Sequence, residues 1–229
     1  MKIEAFNLFP TPVFQVPLPQ MRPFHDDILT LFQGKIDSGE IQPHQHGYGY
    51  QTPTTLFMPQ FYPQKYFIEV LGKGFAEACE NILYQHTRVD SGSQDGYAWM
   101  NTLTIGWANI TTRETWDMEP PWHTHLPATL SGCYYVSTAS RKGEGNLQFS
   151  SPMADTLFQP QTIEIVPKAG HMIIFPSYLK HRPSRCPNTE QIRISLCMDS
   201  HWTIQLPHQL PPNMRSNVRS RRPKQAQRR

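Results

Sequence analysis

The residues best suited to chemistry lie in Pro121-Trp122-His123-Thr124-His125, followed closely by Leu130-Ser131-Gly132-Cys133-Tyr134-Tyr135-Val136. Side chains alternate faces on an extended chain, so histidines at i and i+2 project the same way, with Cα atoms roughly 6–7 Å apart. Imidazole nitrogens ligate at about 2.0–2.1 Å, and such a pair can share one metal ion. A third histidine, His181, lies 58 positions after His123, just beyond Phe175-Pro176-Ser177. Arg193 follows in Arg193-Ile194-Ser195, and its guanidinium offers a bidentate fork for a carboxylate that lysine cannot match. Three protein ligands leave coordination positions open, as catalytic rather than structural sites do. These residues predict a metal site with an anionic cosubstrate held against it.

The elements that must position them read mostly as strands. Trp99 to Ile110 carries little charge, residues 128–138 are aromatic and β-branched, and Gly143-Glu144-Gly145-Asn146 has hairpin chemistry leading into Leu147-Gln148-Phe149. Ile163-Glu164-Ile165-Val166 alternates, Pro167-Lys168-Ala169-Gly170 turns into Met172-Ile173-Ile174-Phe175, and Gln191 to Met198 forms a last strand. Six or so short strands separated by turns predict a mainly β fold, a sandwich or barrel, with N-terminal helices packed outside the sheets. In a jelly roll the last strands return beside the earlier ones, so His181 can complete the ligand set begun by His123 and His125.

Ahead of the strands, Ile28, Leu29, Leu31, Phe32 and Ile36 fall at helical spacing behind Asp26 and Asp27. A second helix is expected over 62–86 from Phe67, Val70, Leu71, Phe75, Ala78, Ile82 and Leu83, weakened at Gly72-Lys73-Gly74. The N-terminal stretch Ile3 to Phe9 partly alternates as a strand, and Pro10, Pro12, Pro17 and Pro19 exclude a helix there. Residues 38–54 are turn-rich. His44 and His46 repeat the i, i+2 spacing without strand context or a distal partner, so they read as a surface pair.

Hydrophobic content of 38% and 22 prolines suit short strands and turns better than a helix bundle. Cys79, Cys133, Cys186 and Cys197 form no Cys-x-x-Cys pair, which points to a reduced, cytoplasmic setting and excludes a zinc knuckle. No basic segment followed by an apolar run opens the chain, and no stretch has the ~18–20 apolar residues of a membrane span. The net charge of +3 is uneven: residues 214–229 hold seven Lys and Arg and no acid, so the remainder stands at −4. The basic arm reads as solvated and unfolded, with a nucleic acid, ribosome or anionic lipid as candidate anionic partners.

The order His-x-His, Ser-Gly-x-Tyr-Tyr, Pro-x-x-Gly-x-x-x-x-Phe-Pro-Ser, His, Arg-x-Ser resembles the 2-oxoglutarate/Fe(II)-dependent oxygenases, specifically a bacterial and phage subgroup with a His-x-His motif. The likeness covers roughly residues 97–200, and Leu8-Phe9-Pro10-Thr11-Pro12-Val13 is similar to that subgroup's opening. It implies a double-stranded β-helix (jelly roll, cupin-like), with Fe(II) held by a His-x-Asp/Glu pair and a distal His. His123 matches the first ligand and His181 the distal one, while Arg193 and Ser195 match the pair that grips the far carboxylate of 2-oxoglutarate. His125 departs from the pattern, standing where most of the superfamily has a carboxylate. Either His125 is the third ligand, which the i, i+2 spacing favours, or Asp117 or Glu119 ligates with His125 behind it.

Tyr134 and Tyr135 alternate faces, so one of them can reach the cosubstrate, and Asn109 could donate to the carboxylate beside the metal. Trp107 and Trp122 either wall the substrate side or sit in the core, and Cys133 and Cys197 read as small core residues. The resemblance implies a dioxygenase that takes 2-oxoglutarate and O₂, hydroxylates a C–H bond of a protein side chain (for example prolyl) or small molecule, and releases succinate and CO₂. Two readings compete: a three-histidine cupin-type metalloenzyme without 2-oxoglutarate, and a non-catalytic β-helix binding protein. The expected layout is one catalytic domain over 1–203, with helical support at 20–90 and a β-helix core at about 97–200, then a Pro-rich exit and basic tail over 204–229.

Overall fold

Alternation of apolar residues along the strands builds the fold around two sheets. The computed structural model describes residues 11–44, 49–86, 98–112, 115, 120–139, 143–152, 161–186 and 192–205. The expected strand over 3–9, His46, Asp117, Glu119 and the basic arm 214–229 lie outside them.

Nine strands are described: β1 (Phe14–Pro17), β2 (Tyr50–Gln51), β3 (Ala98–Thr111), β4 (Leu130–Tyr135), β5 (Leu147–Ser150), β6 (Thr162–Ile165), β7 (His171–Pro176), β8 (His181–Pro183) and β9 (Arg193–Gln205). The larger sheet has the order β1-β7-β4-β9-β3-β2 and the smaller β6-β5-β8, with antiparallel pairing throughout. Together they form the mainly β jelly roll with flanking helices that the sequence predicts. Three strands go beyond the expected set. β1 and β2 pair at the edges of the larger sheet and β8 has three residues, all too short for a period of two to stand out. β9 also continues to Gln205, beyond the expected end at Met198.

The two expected α-helices form, but Pro19, expected to exclude a helix, opens a 3₁₀ helix over Pro19–Phe24, because proline is tolerated in a helix's first turn. Asp26 and Asp27 occupy the first turn of α1 (His25–Asp37), where the helix dipole favours acids, and Ile28 and Phe32 are buried. A π-helical turn, Phe67–Gly72, runs into α2 (Lys73–His86), so the glycine pair marks a change of helical winding rather than a break. A Cβ at Gly74 would lie 2.8 Å from Leu18 Cδ1, so glycine is what allows that close approach.

The two faces of the larger sheet carry different cores. Ile194, Leu196 and Met198 of β9 point outward and pack with Phe32, Phe67, Leu71 and Phe75 of the helical layer. Their neighbours Arg193, Ser195 and Cys197 point inward and line a cavity between the sheets, beside a second core of Trp107, Tyr135, Leu147, Phe149, Ile173 and Phe175. Burial of both faces explains why β4 reads as a continuous buried run. No helix among the described residues is long and apolar enough to cross a membrane.

Candidate metal centre

Backbone pairing brings the three histidines together. The His123 amide donates to the His181 carbonyl (3.2 Å), the His181 amide to the His123 carbonyl (3.0 Å), and the His125 amide to the Ser177 carbonyl (3.0 Å). The segment holding His123 and His125 therefore runs alongside β8, and residues far apart in sequence meet. Ring centroids lie 4.5 Å apart for His123–His181, 4.8 Å for His125–His181 and 5.1 Å for His123–His125. Their ligand nitrogens all lie within 4.8 Å of one another.

The hydrogen-bond partners decide which nitrogen each ring offers. Nδ1 of His123 lies 3.0 Å from the Pro121 carbonyl, Nδ1 of His181 lies 3.0 Å from the Leu179 carbonyl, and Nδ1 of His125 lies 2.8 Å from Asp199 Oδ1. Carbonyl and carboxylate oxygens only accept, so Nδ1 carries the proton in each ring and the Nε2 lone pair is left for a metal. Burial pushes the His181 pKa down to about 3 and lowers that of His123, keeping both neutral at pH 7. At His125 burial acts in the same direction, but the hydrogen bond and charge of Asp199 outweigh it and the net shift is upward. Three fixed imidazoles with their outer nitrogens satisfied are the donor set a divalent transition metal requires.

Asp199 was not foreseen, although its signal was present. It follows Arg193, Ser195 and Cys197 at even spacing on one strand, so it shares their inward face. Its Oδ1 also accepts from the Ser131 hydroxyl at 2.6 Å, and Ser131 in turn contacts Ser177 Oγ at 2.8 Å. A carboxylate thus stands behind His125, hydrogen-bonded to the ring nitrogen that faces away from the cluster.

The rest of the cavity, about 320 Å³, is lined by Arg193, Ser195, Tyr135, Asn109, Trp107, Cys133 and Cys197 among others. Arg193 is only 3% exposed, donates through Nη2 to the Gly145 carbonyl (3.3 Å) and lies 5.5 Å from the Tyr135 ring centre. Its Nε has no hydrogen-bond partner, and no ion pair to Arg193 exists among the described residues. Asn109 Nδ2 donates to Cys197 Sγ at 3.3 Å. Tyr135 is the tyrosine that faces the pocket. Tyr134 faces the helical layer, where its hydroxyl lies 2.6 Å from His25 Nε2, and this removes it from the expected cosubstrate contacts. Trp107 packs against His125 at 5.2 Å, whereas Trp122 lies under the Arg182 guanidinium at 4.5 Å. His44, expected at the surface, lines the cavity with Tyr50 and Gln51.

Residues 106–199 match the family described as "Putative 2OG-Fe(II) oxygenase". Over those residues the chain is similar to the 2-oxoglutarate/Fe(II)-dependent oxygenases. The cluster of His123, His125 and His181 fits a metal ion such as the one that family's name gives. The fold is similar to a Pseudomonas putida prolyl-4-hydroxylase (12% identity, 83% of this chain, 92% of that one, TM-score 0.53). It is also similar to the carbocyclase SnoK of nogalamycin biosynthesis (10%, 83% and 79%, TM-score 0.57) and to HygX of Streptomyces hygroscopicus, solved with nickel and 2-oxoglutarate (10%, 83% and 82%, TM-score 0.50). At these identities the likeness is one of fold. The comparison with curated proteins found no match.

Gly145 ties the hairpin before β5 to the cavity. Its φ is +62°, and a Cβ there would lie 2.8 Å from Cys186 Sγ and 2.9 Å from Arg193 Nε. Gly145→Ala is expected to displace the Arg193 guanidinium while leaving metal affinity unchanged, as metal titration calorimetry on the native chain and the variant would show.

Proposed function

We propose that the protein is a dioxygenase that hydroxylates a C–H bond of a protein side chain, such as that of proline, or of a small molecule, releasing succinate and CO₂. The observation that carries this reading is Arg193: a buried guanidinium without an acidic partner among the described residues, lining the same cavity as three histidines. An uncompensated buried charge costs several kcal/mol, and an anionic ligand entering the cavity removes that cost. When bound, Fe(II) supplies the activation of O₂ and 2-oxoglutarate the electrons for it. His123, His125 and His181 would hold the ion through Nε2. Arg193 would accept the far carboxylate on its fork, Ser195 would add a hydroxyl donor beside it, and Asn109 and Tyr135 would orient the chain between.

The apolar walls keep water from the reacting atoms. Trp107, Leu147, Pro120, Pro121 and Pro183 line the cavity, with His44, Tyr50 and Gln51. Among the described residues no acid and a single arginine line it, which favours an uncharged substrate group over a nucleic acid backbone. Its volume suits 2-oxoglutarate plus one side-chain-sized group, and the fold likeness to a prolyl-4-hydroxylase is compatible with a prolyl target. A three-histidine metalloenzyme that ignores 2-oxoglutarate would leave Arg193 without a role. Four free, buried cysteines suit a reducing, cytoplasmic compartment.

Uncoupled turnover tests the reading. Supplied with Fe(II), ascorbate and O₂, the protein is expected to convert 2-oxoglutarate to succinate slowly without substrate and faster with a matching peptide or metabolite. No succinate above a metal-only control would refute it. The layout of one catalytic domain over 1–203 with an accessory tail, whose basic residues would meet an anionic partner, predicts the same turnover after truncation following Pro212.

A further inference from the structure

The register places Cys133 of β4 directly opposite Cys197 of β9 on the inward face. Directly opposed antiparallel residues have Cα atoms about 4.5–5.5 Å apart, within the roughly 4.4–6.8 Å that a disulfide spans. Their sulfurs already lie 3.4 Å apart, and both residues line the cavity, so a small oxidant in the pocket meets them. The other two thiols are elsewhere: Cys79 lies beside Ser200 in the outer core, and Cys186 lies beside Gly145. The two sulfurs also differ. Cys197 accepts an N–H from Asn109 at 3.3 Å, which favours its thiolate, whereas no comparable donor reaches Cys133 among the described residues.

We propose that Cys133 and Cys197 are an oxidisable dithiol in the pocket wall, closed by hydrogen peroxide to a cross-strand disulfide and reopened by thiol reductants. Cys197 sulfur attacks a peroxide oxygen, the O–O bond breaks, and hydroxide leaves, giving a sulfenic acid. Cys133 sulfur then attacks Cys197 sulfur, the S–O bond breaks, and the oxygen departs as water with the Cys133 proton. In sum, two thiols and one peroxide give one disulfide and two waters, with two electrons passing from sulfur to peroxide. The closed form would tie β4 to β9 between the histidine cluster and Arg193, and would deprive Asn109 of its thiol acceptor. This chemistry does not depend on the oxygenase reaction, because the oxidant is added.

The full-length chain, reduced and treated with a chelator so that no iron chemistry competes, is exposed to hydrogen peroxide and alkylated under denaturing conditions. Two of its four thiols are expected to escape alkylation, with a mass loss of about 2 Da. Peptide mapping should find Cys133 joined to Cys197, and dithiothreitol should restore both thiols. In Cys133→Ser the link cannot form, and Cys197 is expected to accumulate as a dimedone-trapped sulfenic acid. Alkylation of all four thiols after peroxide would overturn the proposal, as would a link through Cys79 or Cys186, or oxidation of Cys197 to irreversible acids in the unaltered chain.

Discussion

Arg193→Met is expected to abolish measurable 2-oxoglutarate binding, leave metal binding intact, and make the ligand-free protein no less stable. None of the three histidines contacts Arg193, so their geometry survives the change. Truncating a desolvated charge that grips a carboxylate costs about 2–5 kcal/mol, which is roughly a 30- to 4,000-fold rise in Kd. Replacing a buried cation with no acidic partner among the described residues by an apolar side chain of similar length removes a desolvation cost, so the ligand-free melting temperature should hold or rise. The three effects separate a ligand-binding arginine from a structural one. Thermal melts with and without 2-oxoglutarate read them together: the native protein shifts upward with ligand and the variant does not. Lower stability with an unchanged ligand shift would show that Arg193 serves the fold instead. Arg193→Lys should recover little, because an ammonium cannot reproduce the planar fork.

Asp199→Asn is expected to lower metal affinity by roughly 10- to 100-fold, the usual effect of removing the partner that orients a ligating histidine. The physical cause is twofold. The carboxylate fixes Nδ1 as the protonated nitrogen of His125 and thereby presents Nε2. It also places one negative charge a single hydrogen bond from the His125 ring, in a site whose other two imidazoles are neutral. A two-histidine, one-carboxylate site carries that charge on the ligand itself. With His125 as the third ligand proposed above, the pair His125–Asp199 would supply that charge at one remove, where the resembled pattern has an acid. Cobalt(II) titrations followed by absorption would check both the affinity and the ligand field. Equal affinity in Asp199→Asn and the native chain would reduce Asp199 to a partner of Ser131.

Much of this site was legible in sequence because two simple rules govern it. The i, i+2 spacing places His123 and His125 on one side, and the motif order supplies His181, Arg193 and Ser195. The same rule of alternation states that only one of Tyr134 and Tyr135 faces inward, but not which. That choice depends on the register of β4 against β9, a long-range property that no local pattern encodes. Asp199 was hidden for a different reason: an isolated acid near the end of an apolar strand is ordinary, and its partner His125 lies 74 residues earlier. His44 reached the cavity through the edge pairing of β2 with β3, two residues long and invisible to periodicity. The helices, by contrast, were placed within a few residues because their apolar stripes are long.

The central claim is that three histidines and Arg193 form one pocket that takes a metal ion and 2-oxoglutarate together. It is tested most directly by adding Fe(II) and 2-oxoglutarate to the purified protein without oxygen and recording its visible spectrum, with calorimetry of 2-oxoglutarate on the same sample. The account predicts a weak charge-transfer band that needs both additions and is absent from His181→Ala. No band, together with no heat of 2-oxoglutarate binding, would contradict it.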